Sequence, residues 1–146
     1  MGSDQQTKRS PPVLQALLLA DHIYTEERGK RIICGTFSKI FCQKFPAITS
    51  FSCFAFVLLV EVVGEVELQL RLVSLHDNEI LMESGKAKIK SDSPLTPLDL
   101  VFQVPPLPLP REGFYSFECW TDGAMIGSVR LQVVPLPTNQ EDRESD

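Results

Sequence analysis

The stretch FSCFAFVLLVEVV, residues 51–63, is apolar at nearly every position and carries one charged side chain, Glu61. It is shorter than the roughly 18 apolar residues that cross a bilayer as a helix, so we expect no membrane span here. Successive side chains of a β-strand point to opposite faces of the sheet, which would give this strand two apolar sides. One side can face the core. The other predicts either a binding surface or a surface covered by the N-terminal arm or by residues 38–50.

Alternation with a period of two residues continues after this stretch. EVELQLRLV, residues 65–73, and LDLVFQV, residues 98–104, each place their apolar side chains on one face. Asp122-Gly123 and Gly29 are typical of the turns that join hairpin strands. Eight short strands with turns between them can be read from the sequence. They predict an all-β fold, an antiparallel β-sandwich of seven to nine strands with an immunoglobulin-like or related Greek-key topology.

The length of 146 residues suits a single domain. We expect a disordered N-terminal arm over residues 1–12, one β-sandwich domain over residues 13–137 and an acidic disordered tail over residues 138–146. Within the domain, residues 38–45 are predicted to form one helical turn or a loop. The net charge of −5 argues against a surface that follows a nucleic-acid backbone, so no nucleic acid is expected as a partner.

The four cysteines, Cys34, Cys42, Cys53 and Cys119, form no CxxC pair and no cysteine–histidine set with zinc spacing. We therefore expect no metal and no cofactor. The N-terminal segment also lacks the uninterrupted apolar stretch of a secretory signal. Both observations favour a cytoplasmic protein with reduced thiols.

Candidate catalytic groups are scarce, since His22 and His76 are the two histidines. Asp21 and His22 are neighbours, and in a regular strand they would point to opposite faces. No nucleophile, base and orienting group are indicated together, so we expect no enzymatic activity. The alternative is a small-molecule or carbohydrate site in loops at one end of the sandwich. A pocket that joined Asp21 and His22 with Trp120 and Asp122 would favour that alternative or, third, an enzyme.

Several short motifs carry a resemblance to a known family. They are Ala20-Asp21 at the end of the first strand, Gly35-x-Phe37 at the end of the second, Phe45-Pro46-Ala47, and Gly113-x-Tyr115-x-Phe117. Together they make most of the chain resemble an uncharacterised bacterial family of small single-domain proteins, known only as a domain of unknown function. The resemblance implies a compact β-sandwich and supplies no reaction, ligand or catalytic residue.

The N-terminal strand VLQALLLA has the same two-sided apolar character as residues 51–63. The two strands together predict an apolar outer sheet face, and an exposed apolar patch of more than a few hundred Å² usually marks an interaction surface. We therefore predict a non-enzymatic module that binds a protein partner or associates with itself, most simply as a homodimer. The candidate interface residues are Leu17, Leu19, Phe54, Phe56, Leu58 and Val60.

Overall fold

A computed structural model describes residues 10–137 of the chain. Most of the predicted arm and the whole predicted tail lie outside these residues. Within them, all regular secondary structure is β-strand, which confirms the all-β prediction, and no helix is long and apolar enough to cross a membrane. The strands are β1 (Val13–Thr25), β2 (Arg31–Thr36), β3 (Lys39–Cys42), β4 (Ala47–Ile48), β5 (Cys53–Val60), β6 (Gly64–Ser74), β7 (Ile80–Glu83), β8 (Ala87–Ser91), β9 (Leu98–Val104), β10 (Pro108–Leu109), β11 (Gly113–Thr121) and β12 (Ala124–Pro135).

The strands form two large sheets and one small one. The four-stranded sheet has the order β2-β1-β5-β9, and all its neighbours are antiparallel. The six-stranded sheet has the order β3-β12-β11-β6-β7, and β8 also pairs with β6. The two-residue strands β4 and β10 pair with each other.

The structure has twelve strands within the described residues, where the sequence predicts seven to nine, and one pair is parallel. Residues 38–45, predicted as a helical turn or loop, contain β3. This strand runs parallel to β12, with Lys39 opposite Gln132 and Cys42 opposite Pro135. Its partner lies far along the chain, so the local residue pattern carries no sign of the pairing.

A second reason for the larger count lies at Ser84, which separates β7 from β8. The Ser84 N–H donates to the Leu70 carbonyl, and the Leu70 N–H donates to Ser84 Oγ, both at 2.9 Å. Because the serine side chain satisfies the backbone of β6 at this point, β6 changes partner from β7 to β8 without an unpaired buried amide. Residues 80–91 therefore form two short strands, β7 and β8, in place of one long strand.

The tight turn predicted at Asp122-Gly123 is confirmed. Thr121 pairs directly with Ala124, and both turn residues have positive φ, 49° and 82°. Two positive φ values define a type I′ turn, whose twist matches that of the flanking strands. The turn therefore sets the register of β11 and β12.

One buried cluster receives side chains from both large sheets. Its largest members are the rings of Tyr115 and Phe117 on β11. Full burial of a large apolar side chain contributes about 1.5–3 kcal/mol. Alternating positions of three strands supply much of the cluster: Cys53, Ala55, Val57 and Leu59 on β5, Val66, Leu68, Leu70 and Leu72 on β6, and Tyr115, Phe117 and Cys119 on β11.

The hydroxyl of Tyr115 is the polar end of this core. It donates to the Arg111 carbonyl and accepts from the Arg111 N–H, 3.2 Å away. Burial is the main cause that raises the pKa of Tyr115, so the phenol keeps its proton at neutral pH and remains a donor. The two bonds hold the chain that enters β11 against the core.

Candidate functional site

Two of the six predicted interface residues lie in the core. Leu17 and Leu19 are 6% and 2% exposed, so the prediction is wrong for both. Leu17 pairs with Val57 and Leu19 with Ala55, and those two β5 residues point into the buried cluster. The strand VLQALLLA is apolar in both registers, so only its pairing with β5 decides which side faces inward.

The other four predicted residues, Phe54, Phe56, Leu58 and Val60, are half-buried on the opposite side of β5. Leu18 is the antiparallel partner of Phe56 and is exposed. We call this side of β1, β5 and β9 the β5 outer face. It is apolar, as the sequence predicts, but its side chains are more protected than a fully exposed sheet face would be.

The protection comes from the hairpin formed by β1 and β2. Asp99 pairs with Leu58, which pairs with Ala16, whereas Arg31 pairs with Thr25. Nine residues separate Ala16 from Thr25 along β1, and a straight strand of that length spans about 30 Å. Arg31 nevertheless lies against Asp99, with Nη2 3.0 Å from the carbonyl oxygen and 3.3 Å from Oδ1. The hairpin therefore folds back over the β5 outer face.

The two sides of the folded hairpin differ in exposure. Ile33 lies two residues from Arg31 and pairs with Ile23, so these three side chains share one side of the hairpin. They are half-buried. Tyr24 and Ile32 are on the other side and are exposed. Within the described residues, the domain itself therefore contributes to the protection of the β5 outer face, since Arg31 bonds to Asp99 and the ring of His22 lies 6.4 Å from that of Phe54.

Gly35 lies where the hairpin leaves the plane of the sheet. Its φ is +74°, and a Cβ atom there would lie 2.6 Å from Asp21 Oδ2. Glycine adopts this dihedral angle without strain, whereas a larger residue would be strained and would also displace the Asp21 carboxylate. The motif pair Ala20-Asp21 and Gly35-x-Phe37 therefore has a structural role at the fold-back.

The proposed convergence of Asp21, His22, Trp120 and Asp122 is absent. Trp120 and Asp122 line a cavity of about 360 Å³ on the six-stranded sheet, and Asp21 and His22 on β1 do not line it. The Arg71 guanidinium covers the indole of Trp120 at 4.0 Å from the ring centroid. One face of the indole is therefore occupied by a side chain of the domain itself.

The outer face of the six-stranded sheet carries a second apolar surface, which the sequence analysis missed. Its members lie on β3, β7, β11 and the residue after β6. We call them the outer belt: Phe41 (54% exposed), Leu75 (38%), Ile80 (47%) and Phe114 (50%).

Alternation and pairing place these side chains outward. Phe41 lies between two buried residues of β3, and Phe114 directly precedes the buried Tyr115. The Leu75 N–H donates to the Phe114 carbonyl at 3.0 Å, which continues the ladder of β6 and β11 past the last residue of β6. A signal was present in the sequence, since GFYSFECW places Phe114 in the register opposite Tyr115 and Phe117.

Charged side chains lie around the outer belt, mainly basic at one end and mainly acidic at the other, where Arg111 is also near Asp77. Lys39 on β3 and Arg130 on β12 are exposed at one end. Asp77 and Glu79 lie in the turn between β6 and β7 at the other end. The Glu79 N–H donates to Asp77 Oδ1 at 3.1 Å, and this bond is the first cause that lowers the pKa of the Asp77 carboxyl. Asp77 is therefore ionised at neutral pH.

The sequence of the chain also matches a known protein family. The model of a family of unknown function, DUF6941, matches residues 15–134. The chain belongs to this family. This match confirms the predicted resemblance to a family that is known only as a domain of unknown function. No curated protein matches the chain.

The family match includes the hairpin, the β5 outer face and the outer belt. The family description names no reaction and no ligand. Across the described residues, no three His, Cys, Asp or Glu side chains converge as a metal site. Sheet surfaces and cavities are therefore the features from which a function can be argued.

Proposed function

We propose that this member of the family is a non-enzymatic, self-associating module that forms a two-fold dimer through the outer belt. The observation that carries the proposal is the row of exposed Phe41, Leu75, Ile80 and Phe114 across one broad sheet face. A folded chain exposes several large apolar side chains on one sheet face mainly where that face binds another surface.

The proposal rests on a sandwich arrangement of the two large sheets. We infer this arrangement because both sheets contribute inward side chains to one buried cluster. The bonds between Tyr115 and the Arg111 backbone support it, since a tyrosine that ties a strand start to the preceding corner is characteristic of Greek-key sandwiches. In such an arrangement each sheet has one outer face available to a partner.

The belt is the better candidate of the two outer faces. The β5 outer face is already covered in part by the folded hairpin, which Arg31 fastens to Asp99. No comparable segment is bonded across the belt within the described residues, and its four members stay well exposed. The proposed interaction surface is therefore the outer face of the six-stranded sheet, in place of the β5 outer face that the sequence predicted.

The size of the belt fits the centre of a dimer interface. A half-exposed phenylalanine offers roughly 100 Å² of apolar surface, so Phe41 and Phe114 with the two aliphatic residues offer roughly 300–400 Å². A stable interface buries about 800 Å² on each partner, with an apolar centre and a polar rim. The belt would form the centre, and the charged side chains around it would form the rim.

The charges at the ends of the belt favour a second copy of the chain as the occupant. A two-fold axis near Phe114 would bring Lys39 and Arg130 of one protomer against Asp77 and Glu79 of the other. Each contact would then occur twice, as in all isologous interfaces. Opposite charges at an interface rim steer association and fix orientation.

The experiment measures the mass of the protein by sedimentation equilibrium over a range of concentrations. We expect a dimer for the natural chain and a folded monomer for Phe114→Asp. Ile32→Asp is the matched control, because Ile32 is equally exposed but lies on the hairpin. It should leave the dimer intact.

A charge exchange tests the orientation. Lys39→Glu should weaken the dimer, and adding Glu79→Lys to the same chain should restore it. A natural chain that stays monomeric at high concentration would overturn the proposal. Equal dissociation by Phe114→Asp and Ile32→Asp would also overturn it, because the effect would then not be specific to the belt.

A further inference from the structure

A cavity of about 530 Å³ lies at one end of the domain, away from the outer belt. The residues before β1, the β5–β6 connection with the start of β6, and the β11–β12 turn meet there. Its polar lining comes from Ser10, Glu61, Glu65, Thr121 and Asp122. No part of the proposed dimer uses these residues.

Among the described residues, the charged side chains that line the cavity are all acidic. Glu61, Glu65 and Asp122 line it, and no basic side chain is among the described residues that do. One oxygen of Asp122, Oδ1, accepts the Glu67 N–H at 2.9 Å. The second Asp122 oxygen and both glutamates have no bond of this kind to the described residues.

Thr121 supplies an independent observation. The residue is 2% exposed and lines the cavity, yet its Oγ1 has no hydrogen-bond partner among residues 10–137. Buried hydroxyl groups in folded proteins almost always have a partner, because leaving one unpaired costs stability. A polar group bound in the cavity would satisfy it.

The other residues that line the cavity indicate which class of ligand could bind there. Pro11, Pro12 and Val66 give the cavity an apolar wall. A bare divalent cation needs several oxygen ligands clustered around it, and no three such side chains converge in the described residues. Dispersed carboxylates, one buried hydroxyl and an apolar wall suit an organic ammonium group with an aliphatic body.

We propose that this cavity is a binding site for small aliphatic amines, with the ammonium groups held by Glu61, Glu65 and Asp122 and a hydrogen bond to Thr121 Oγ1. The aliphatic portion packs against Pro11, Pro12 and Val66. The proposal is independent of the dimer, since the cavity and the outer belt share no residue.

The first test is calorimetric titration of the full chain with 1,4-diaminobutane at neutral pH. Saturable binding is expected, together with amide shifts in the nuclear magnetic resonance spectrum at Glu65 and Thr121. The neutral analogue 1,4-butanediol should not bind. Equal binding of the diol, or saturable binding of calcium ions with none of the diamine, would overturn the proposal.

The second test uses variants. Glu65→Gln should weaken diamine binding by about tenfold, because it removes one charge contact. Thr121→Val should weaken it by about threefold to tenfold while the protein stays at least as stable as the natural chain, since the hydroxyl has no hydrogen bond to residues 10–137 to lose. Glu112→Gln, at an exposed site outside the cavity, is the matched control and should change nothing. Unchanged affinity in both Glu65→Gln and Thr121→Val would overturn the proposal even if the diamine bound.

Discussion

Burial controls the chemistry of the cysteines. Cys34 is exposed on the hairpin, whereas Cys42, Cys53 and Cys119 are buried, and none forms a disulfide. Burial raises the pKa of Cys119 to about 12. Burial, with a smaller contribution from the charge of Asp21, raises the pKa of Cys53 to about 11. At neutral pH these thiols are therefore small apolar core groups that hold their protons.

These shifts predict a loss of stability at alkaline pH. A thiol in the unfolded chain loses its proton near pH 8.5, before the folded thiol does. Each buried cysteine therefore contributes its full stabilisation below that pH. The contribution falls as pH rises toward the folded pKa, by up to about 1.4 kcal/mol per pH unit for each thiol.

Urea unfolding at several pH values between neutral and about 10.5 measures this effect. Cys119→Val, which keeps an apolar side chain but cannot ionise, should show a shallower decrease in the free energy of unfolding above pH 9 than the natural chain. Cys34→Ser should show the same decrease as the natural chain, because Cys34 is exposed in both states. Equal slopes for Cys119→Val and the natural chain would contradict the argument.

The hairpin of β1 and β2 shows how one element changes the role of another. The pairing of β2 with β1 is local and regular, with Gly29 at positive φ in the turn, as the sequence predicts. The position of the hairpin over the β5 outer face depends on a bend at Gly35 and on the contact between Arg31 and Asp99. An exposed ion pair contributes little to stability by itself. Here it holds a two-stranded hairpin, an element that is only marginally stable in isolation, against the sheet.

We expect Arg31→Ala to loosen the hairpin without unfolding the domain. Amide hydrogen exchange over residues 22–34 should become faster, and exchange in β11 should not change, because the core does not include Arg31. Arg28→Ala, at an exposed arginine in the turn of the same hairpin, serves as the control. Unchanged exchange over the hairpin in Arg31→Ala would show that apolar contacts alone hold it down.

At the scale of the whole molecule, the buried cluster joins the two large sheets. Leu59 on the four-stranded sheet and Phe117 on the six-stranded sheet are both fully buried members of it. Neither sheet can keep its inner face dry without the other, so the sheets should be stable only together. This coupling makes cooperative unfolding the expected behaviour.

Fluorescence of Trp120, the single tryptophan, and far-ultraviolet circular dichroism should report the same unfolding midpoint in urea. Trp120 reports on the six-stranded sheet, whereas dichroism reports on both. Leu59→Ala should lower the free energy of unfolding by about 2–5 kcal/mol by both probes, because it opens a cavity in the core. Leu95→Ala, at a well-exposed loop position, should have no such effect. Two separate transitions would show that the sheets unfold independently.

Local signals in the sequence were sufficient for the longer strands and for several turns. The regular alternation of β6 follows from its residues alone, because side chains of a strand point alternately to the two faces. The Asp122-Gly123 turn is likewise set by the two residues that accept positive φ most readily. The two-sided apolar character of β5 is also visible in its residues, and the half-burial of Phe54, Phe56, Leu58 and Val60 shows that its second side is partly protected.

Tertiary structure alone decided where the apolar sides lie and what covers them. Leu17 and Leu19 face the core because of their register with β5, and a strand that is apolar on both sides contains no local preference between its registers. The pairing of β3 with β12 and the contact of Arg31 with Asp99 join residues far apart in the chain. The alternation of a strand describes only its own two faces, whereas the choice of partner for each face depends on packing of the whole domain.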